Sequence, residues 1–326
     1  GSWRHQVALL SATDLISSQI DHYIVSPLPK RWKRFGRWRL TFLQHGVTKD
    51  DLSRWLNSKD IALCITTTPA EHASIVGDGT SYKLTSRETA LTGQPRHDRL
   101  VRLAKAPGER QPTILVMPTW RRELMGKNVD GGNLRELSEA FWSSEYFTRW
   151  NALLASESLA AIAREAGAEI VVLPHPNLEA YLDEKAFPAH VRLASYARDD
   201  FQELVAEAGM VITDYSSNAF EAAIAGRAVL YYQFDPDSFY AGGHVYRKGY
   251  FDYEADGFGP VATDLDGALA EIAALAATGF SRPDLYEERA RAAFAACDGT
   301  SCAKVVEAIE AGIVGRAGRR TSTNDK

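Results

Sequence analysis

Residues 211–230 read VITDYSSNAFEAAIAGRAVL, and this stretch decides the fold. An apolar run over 210–213 breaks into the polar turn Asp214-Tyr215-Ser216-Ser217. Residues 218–225 then carry apolar side chains at helical spacing and stop at Gly226, and 228–232 is apolar again. Buried strand, short turn, helix and second buried strand make the unit of a parallel sheet, because parallel neighbours need a crossover and are covered on both faces. Ser216 or Ser217 is the expected N-cap, and Gly226 the expected stop.

The same alternation extends outward. Residues 113–117, 169–173 and 191–194 read as further strands. Helices are expected over about 145–165, stopped by Gly167, and over 199–207, opened by Asp199 or Asp200. That makes about five parallel strands. Upstream, 7–10, 23–25, 40–43, 62–66 and 89–91 each read as short strands. The stretch AKAPGERQP (104–112) has two prolines, a glycine and no apolar period, so it reads as an interdomain linker. The expected division is therefore 1–108, 109–314 and a disordered polar tail, GRAGRRTSTNDK (315–326). Gly1-Ser2 has the character of a cloning scar, and no signal peptide follows it. The first domain is short for a nucleotide-binding-type half, so further native sequence is expected upstream.

The chain has 326 residues, 45% of them apolar and 24% charged, with a formal net charge of −5. This balance excludes disorder as the main state and a wholesale nucleic-acid coat. No apolar run approaches the ~18 residues of a membrane-spanning helix. Of three cysteines, Cys64 sits in an apolar run and reads as a buried free thiol. Cys297 and Cys302 admit a loop disulfide, but no His or Cys beside them completes a zinc set. The pattern fits a reducing compartment.

Ligands collect beyond the carboxyl ends of strands in open parallel sheets. Four polar clusters are expected there: Gln44-His45-Gly46, Pro118-Thr119-Trp120-Arg121, Pro174-His175-Pro176 and Asp214-Tyr215-Ser216-Ser217. Ser216 and Ser217, with the free N–H groups of a first helical turn, suit a phosphate or simply cap the helix. His45 can take a proton from an alcohol or bond a loop carbonyl. His175, between two prolines, can donate to a phosphate oxygen or satisfy a turn. Arg96 and Arg121 suit phosphate recognition and ordinary ion pairs alike. Asp235-Pro236-Asp237 has no further acidic partner, so no metal site is expected, and neither common glycine-rich phosphate loop occurs.

Residues 30–39, KRWKRFGRWR, hold six cations and three aromatics. Cations attract anionic headgroups while the rings of Trp32, Phe35 and Trp38 enter the interface. Lys30, Arg31, Trp32, Lys33, Arg34, Arg37, Trp38 and Arg39 are thus candidates for contact with an anionic membrane surface or a polyanion. The plainer alternative is a solvated basic helix end packed by its aromatics.

Taken in order, FLQHGVTKDDL (42–52), LTGQPRHDRL (91–100), PTWR (118–121), HPN (175–177), ITDYSSNAFE (212–221) and YRKGYFDYEADGFGP (246–260) resemble the CDP-glycerol glycerophosphotransferase family, the bacterial teichoic-acid and capsule polyol-phosphate polymerases. The resemblance covers about residues 40–265. It implies the α/β GT-B plan, two Rossmann-like domains facing across a cleft. It also implies transfer of a polyol phosphate from a CDP-activated polyol donor to a hydroxyl of a polyol-phosphate polymer or lipid-linked acceptor, with release of CMP. On that resemblance His45 is the general base and His175 binds or polarises the pyrophosphate. Gly46, Arg96, Thr119, Trp120, Arg121, Pro176, Asn177, Ser216, Ser217 and Glu221 would bind the donor. No cofactor or protein-held metal is required, although Mg²⁺ can accompany a pyrophosphate donor. The implied location is cytoplasmic, peripheral on the inner face of the bacterial cell membrane, with no nucleic-acid partner. Many members read Trp-His-Gly-Thr-Pro where this chain has Gln44-His45-Gly46-Val47-Thr48, and Asp where it has Glu221. Both departures fall near the donor, so the polyol is left open: glycerol phosphate is the default unit, and ribitol phosphate or another phosphate-linked unit the alternative. The competing readings are a GT-B glycosyltransferase using a nucleotide sugar and a non-catalytic nucleotide- or polymer-binding relative.

Overall fold

The computed structural model describes residues 2–25, 27–29, 31–32, 35–105, 112–128, 135–182, 186–240 and 247–322. Its chain forms two units, Gly1–Arg99 with Ala293–Lys326, and Leu100–Ala292.

The first unit carries a parallel sheet of β1 (Asp14–Ser17), β2 (Arg39–Phe42), β3 (Leu63–Thr66) and β4 (Thr89–Leu91), in that order. Ile20, Leu40, Phe42, Leu56, Ile61 and Cys64 form its core, and Phe42 meets Trp55 edge-to-face at 5.9 Å.

The second unit contains β5 (Thr113–Met117), the antiparallel hairpin β6 (Met125–Asn128) and β7 (Arg135–Leu137), then β8 (Glu169–Val172), β9 (Val191–Leu193), β10 (Ala208–Thr213), β11 (Ala228–Tyr232) and β12 (Val261–Ala262). Its parallel sheet has the order β12-β11-β10-β5-β8-β9. Central strands β5, β10 and β11 are buried at nearly every residue, as covering on both faces demands. Helices Glu157–Glu165 and Asn218–Ile224 are followed by Gly167 (φ 62°) and Gly226 (φ 75°), left-handed positions at helix ends that glycine adopts without strain.

Several sequence expectations are corrected. Residues 7–10 and 23–25 lie in helices Trp3–Ser11 and His22–Val25, not strands. The Ser2 hydroxyl accepts the His5 N–H and starts the first of these. The long helix over 145–165 is two, Glu145–Leu154 and Glu157–Glu165, because Ser156 caps a new start by accepting the Leu159 N–H. β12 was not foreseen, so the larger sheet has six strands, and neither β1 nor the pair β6–β7 was expected.

The units also divide differently from 108/109, with the C-terminal segment returning to the first unit. The cause is local. Asp98 accepts the backbone N–H groups of Ser301 and Cys302, each at 2.8 Å, capping helix Ser301–Ser322 from a distant part of the chain. Gly93 (φ 74°) lets that helix start approach, since a Cβ there would lie 2.6 Å from Ser301 Oγ. The helix runs through 315–322, where a disordered tail was expected. Residues 106–111 of the expected linker and 323–326 lie outside the described residues. Cys64, Cys297 and Cys302 are free thiols, Cys64 buried.

Candidate active site

In the first unit the chain leaves β2 through Leu43, whose N–H pairs with the Ser17 carbonyl. Gln44 then turns into the left-handed region (φ 62°), a conformation residues with a Cβ adopt rarely. Gln44, Val47, Thr48 and Lys49 are buried, whereas His45 is exposed. The loop therefore roots itself on both sides of one outward imidazole.

His45 Nδ1 lies 3.3 Å from the carbonyl oxygen of Ser18, just past β1. A carbonyl only accepts, so Nδ1 carries a proton in this contact, and in the neutral ring Nε2 is then the lone-pair acceptor. Arg96, at the start of helix Pro95–Lys105 beyond β4, donates from Nη1 to the His45 carbonyl. Its expected reach to phosphate is thus joined by a definite task at the His45 backbone.

Beneath the loop is a carboxylate that the sequence reading did not single out. Glu71 is fully buried and accepts the N–H groups of Thr48 and Thr67, each at 2.6 Å, and that of Gln44 Nε2 at 3.0 Å. Burial pushes its pKa up to about 7, against the opposing pull of those donors. The signal was present: Thr68-Pro69-Ala70-Glu71 has capping-box spacing, and Thr68 Oγ1 does accept the Glu71 N–H at 3.0 Å.

In the second unit a buried ion cluster ties the ends of β5, β10 and β11. Asp214 Oδ1 accepts the N–H of Thr119 (2.9 Å) and of Tyr215 (2.8 Å), and Oδ2 accepts Arg121 Nη2 (2.8 Å). Arg121 also donates from Nε to Asp235 (2.9 Å) and from Nη1 to the Thr119 carbonyl (2.7 Å). Tyr146, Tyr215 and Phe239 surround its guanidinium at 4.9–5.2 Å from the ring centroids. Burial works against the charge, but Asp214 and Asp235 more than offset it and hold the Arg121 pKa above its ordinary value. With 2% exposure and its donors turned inward, Arg121 is a structural clasp, not the donor-lining residue expected. Asp235 is likewise engaged by Arg121.

His175 follows β8 as the N-cap of the short helix Pro176–Glu179. Its Nδ1 accepts the Asn177 N–H at 3.2 Å, so the neutral ring carries its proton on Nε2 as a donor. Burial depresses its pKa to about 4, keeping the ring neutral near pH 7. Trp120 lies 5.7 Å from the His175 ring, so the ends of β5 and β8 bring these two expected residues together. Pro176 is exposed and Asn177 half-buried. Past β10, Ser216 Oγ accepts the Asn218 N–H (3.1 Å), while Ser217 occupies the cap position without a side-chain capping bond. Both serines are half-buried, whereas Glu221 is buried at 1% exposure inside helix Asn218–Ile224. Its expected contact with a donor is replaced by an internal position.

Among the described residues of the basic segment, the Trp32 N–H bonds the Pro29 carbonyl and the Phe35 N–H the Trp32 carbonyl. Arg31 stands 5.5 Å over the Trp32 ring, Phe35 is 52% exposed and Arg37 is exposed. Trp38 folds back on Gly36, where a Cβ would meet its ring at 2.2 Å. Arg39 leaves the patch, because it lies in β2 and pairs with Asp14. Lys30, Lys33 and Arg34 lie outside the described residues. Among the described residues no helix is long and apolar enough to cross a membrane, and no group of three or more His, Cys, Asp or Glu side chains is placed to hold a metal ion.

Residues 4–311 match the family described as CDP-Glycerol:Poly(glycerophosphate) glycerophosphotransferase. The minor teichoic acid biosynthesis protein GgaB of Bacillus subtilis (strain 168) is 31% identical over 313 residues, covering 94% of this chain. The chain spans only 33% of that relative's length. The wall teichoic acid polymerase TagF superposes with a TM-score of 0.60 at 18% identity, over 86% of this chain and 70% of that one. A histidine-to-asparagine variant of TagF soaked with CDPG gives 0.62 at 17% identity, over 94% and 73%. A putative UDP-N-acetylglucosamine 2-epimerase from Listeria monocytogenes gives 0.52 at 13% identity, over 95% and 77%. These structural likenesses establish the fold, two Rossmann-like units of the GT-B class.

Proposed function

The chain belongs to the CDP-Glycerol:Poly(glycerophosphate) glycerophosphotransferase family, and on that premise we propose that it transfers glycerol phosphate from CDP-glycerol to a terminal hydroxyl of a polyol-phosphate chain or its lipid-linked primer. The observation that supports this reading is the contact of His45 Nδ1 with the Ser18 carbonyl. With Nδ1–H held by the Ser18 carbonyl, the exposed imidazole offers Nε2 to an acceptor hydroxyl. The hydroxyl oxygen attacks the phosphorus bearing glycerol, its proton passes to His45 Nε2, and the P–O bond to CMP breaks. His175 plays the complementary part. Its neutral ring donates from Nε2–H to a pyrophosphate oxygen as charge builds, with no proton transfer required.

Ser216 and Ser217 hydroxyls and the half-buried Trp120 complete the donor side, and the Arg121 clasp fixes the Thr119 backbone among them. Any Mg²⁺ arrives bound to the donor pyrophosphate. Arg31, Trp32, Phe35, Arg37 and Trp38 rest on the anionic inner face of the bacterial membrane, where a lipid-linked acceptor would be met.

The nucleotide product separates this reading from glycosyl transfer. CDP-glycerol, CDP-ribitol and nucleotide sugars are each incubated with the protein and a glycerol-phosphate oligomer, and the products are separated by ion-exchange chromatography. CMP from CDP-glycerol is the expected result, and preferential CMP release from CDP-ribitol would reassign the unit. A nucleoside diphosphate from a nucleotide sugar, with no CMP, would overturn the reading.

A further inference from the structure

Gln44 stands in the left-handed region immediately before His45, and both ends of its amide are held there. Gln44 Nε2 donates to the Ile65 carbonyl (2.6 Å) and to Glu71 Oε1 (3.0 Å), while the Thr48 hydroxyl donates to the amide oxygen of Gln44 itself. A backbone conformation of this kind persists only where its surroundings over-determine it. Glu71 supplies much of that determination. Glu71 Oε1 also accepts the Thr48 N–H on the far side of His45, and Glu71 Oε2 accepts the Thr67 N–H at the end of β3. One fully buried carboxylate therefore grips the loop both before and after the exposed imidazole and anchors it to the neighbouring strand.

A glutamate serving only its own helix would not be built this way. In a capping box the side chain returns to the cap residue itself; here it also reaches across to residues 44 and 48, at the desolvation cost of a buried carboxyl. We propose that Glu71, acting through Gln44 and Thr48, is the positioning residue of His45, holding the imidazole against the Ser18 carbonyl so that Nε2 faces the acceptor. The inference rests on the reading of His45 as the base.

The test compares Glu71→Gln, Thr48→Val and His45→Ala in the full chain. Glutamine keeps the shape of Glu71 but must turn an NH₂ toward Thr67 N–H or toward Thr48 and Gln44, which already donate. Thr48→Val removes only the hydroxyl that holds the Gln44 amide, and it decides the matter if Glu71→Gln does not fold. The expected result is a fall in kcat of about 10-fold or more, with the KM for CDP-glycerol within twofold of wild type. The His45 Hε1 resonance should also move at fixed pH in the unliganded protein. Folded variants with wild-type kcat and an unmoved resonance, while His45→Ala is inactive, would overturn the positioning role and leave the base in place. Full activity in His45→Ala would instead remove the reading on which the inference rests.

Discussion

The carbonyl oxygen of Ser18 lies 3.3 Å from Nδ1 of His45, and this one contact fixes what the imidazole can do. Nδ1 carries a proton there, so in the neutral ring Nε2 accepts. In His175 the polarity is reversed, because Nδ1 takes the Asn177 N–H and Nε2 becomes the donor. Two histidines, each at a strand end, are set by backbone partners into opposite tautomers suited to base and anion-binding roles.

His175→Asn tests the second of these. Asparagine is a good N-cap and keeps an oxygen for the Asn177 N–H, so the melting temperature should stay close to wild type near pH 7. Loss of the Nε2 donor should lower kcat by roughly 10²–10³-fold. Because burial lowers the His175 pKa from 6.5 to about 4, the folded state binds fewer protons than the unfolded state between those values. Wild type should therefore lose stability relative to His175→Asn as pH falls from 6.5 to 4, read by thermal melts across that range.

Glu71 titrates in the opposite sense. Its pKa rises from 4.5 to about 7 in the folded state, which then binds more protons than the unfolded state in that window. The stability associated with the neutral carboxyl is complete below pH 4.5 and is lost as pH rises through 7. Melting temperatures of wild type relative to Glu71→Gln should fall from pH 5 to pH 8. A difference flat with pH would contradict it.

Replacing Arg121 by Met should destabilise the second unit by about 3–5 kcal/mol, because Asp214 and Asp235 are left without their buried cation. Adding Asp214→Asn should restore only part of this, since the carboxylate also accepts two backbone N–H groups. Urea unfolding followed by circular dichroism measures both. An Arg121→Met protein as stable as wild type would return Arg121 to the list of candidate donor contacts.

Two glycines separate steric from conformational cost. A Cβ on Gly259 would lie 1.8 Å from the Val229 carbonyl oxygen, so Gly259→Ala must displace backbone at β11. At Gly167 nothing lies within 4 Å, and only its φ of 62° resists substitution. Gly167→Ala should cost about 1 kcal/mol and Gly259→Ala clearly more, by the same unfolding measurement.

The second unit was legible because its central strands are buried on both faces, so runs such as 228–232 are apolar without interruption and end at turn residues. The first unit was less so. Its apolar runs at 7–10 and 23–25 are too short to separate helix from strand, and the cap at Ser2 decides the first. The strand ends carrying His45, Thr119, His175 and Ser216 were placed correctly, since turn polarity after an apolar run marks them. Arg121 was misjudged because a guanidinium reads the same in sequence whether it faces a phosphate or two buried aspartates. Glu71 was missed because its partners, Gln44 and Thr48, are distant along the chain and meet it only through the parallel pairing of β2 with β3.

The most direct measurement is CMP formation from CDP-glycerol and a glycerol-phosphate oligomer by wild type and His45→Ala, paired with calorimetric binding of CDP-glycerol to each. A base whose Nε2 receives the acceptor proton predicts a kcat lowered by about 10²–10⁴-fold, with donor affinity within twofold of wild type. A His45→Ala protein that binds the donor normally and retains more than a tenth of wild-type kcat would contradict it.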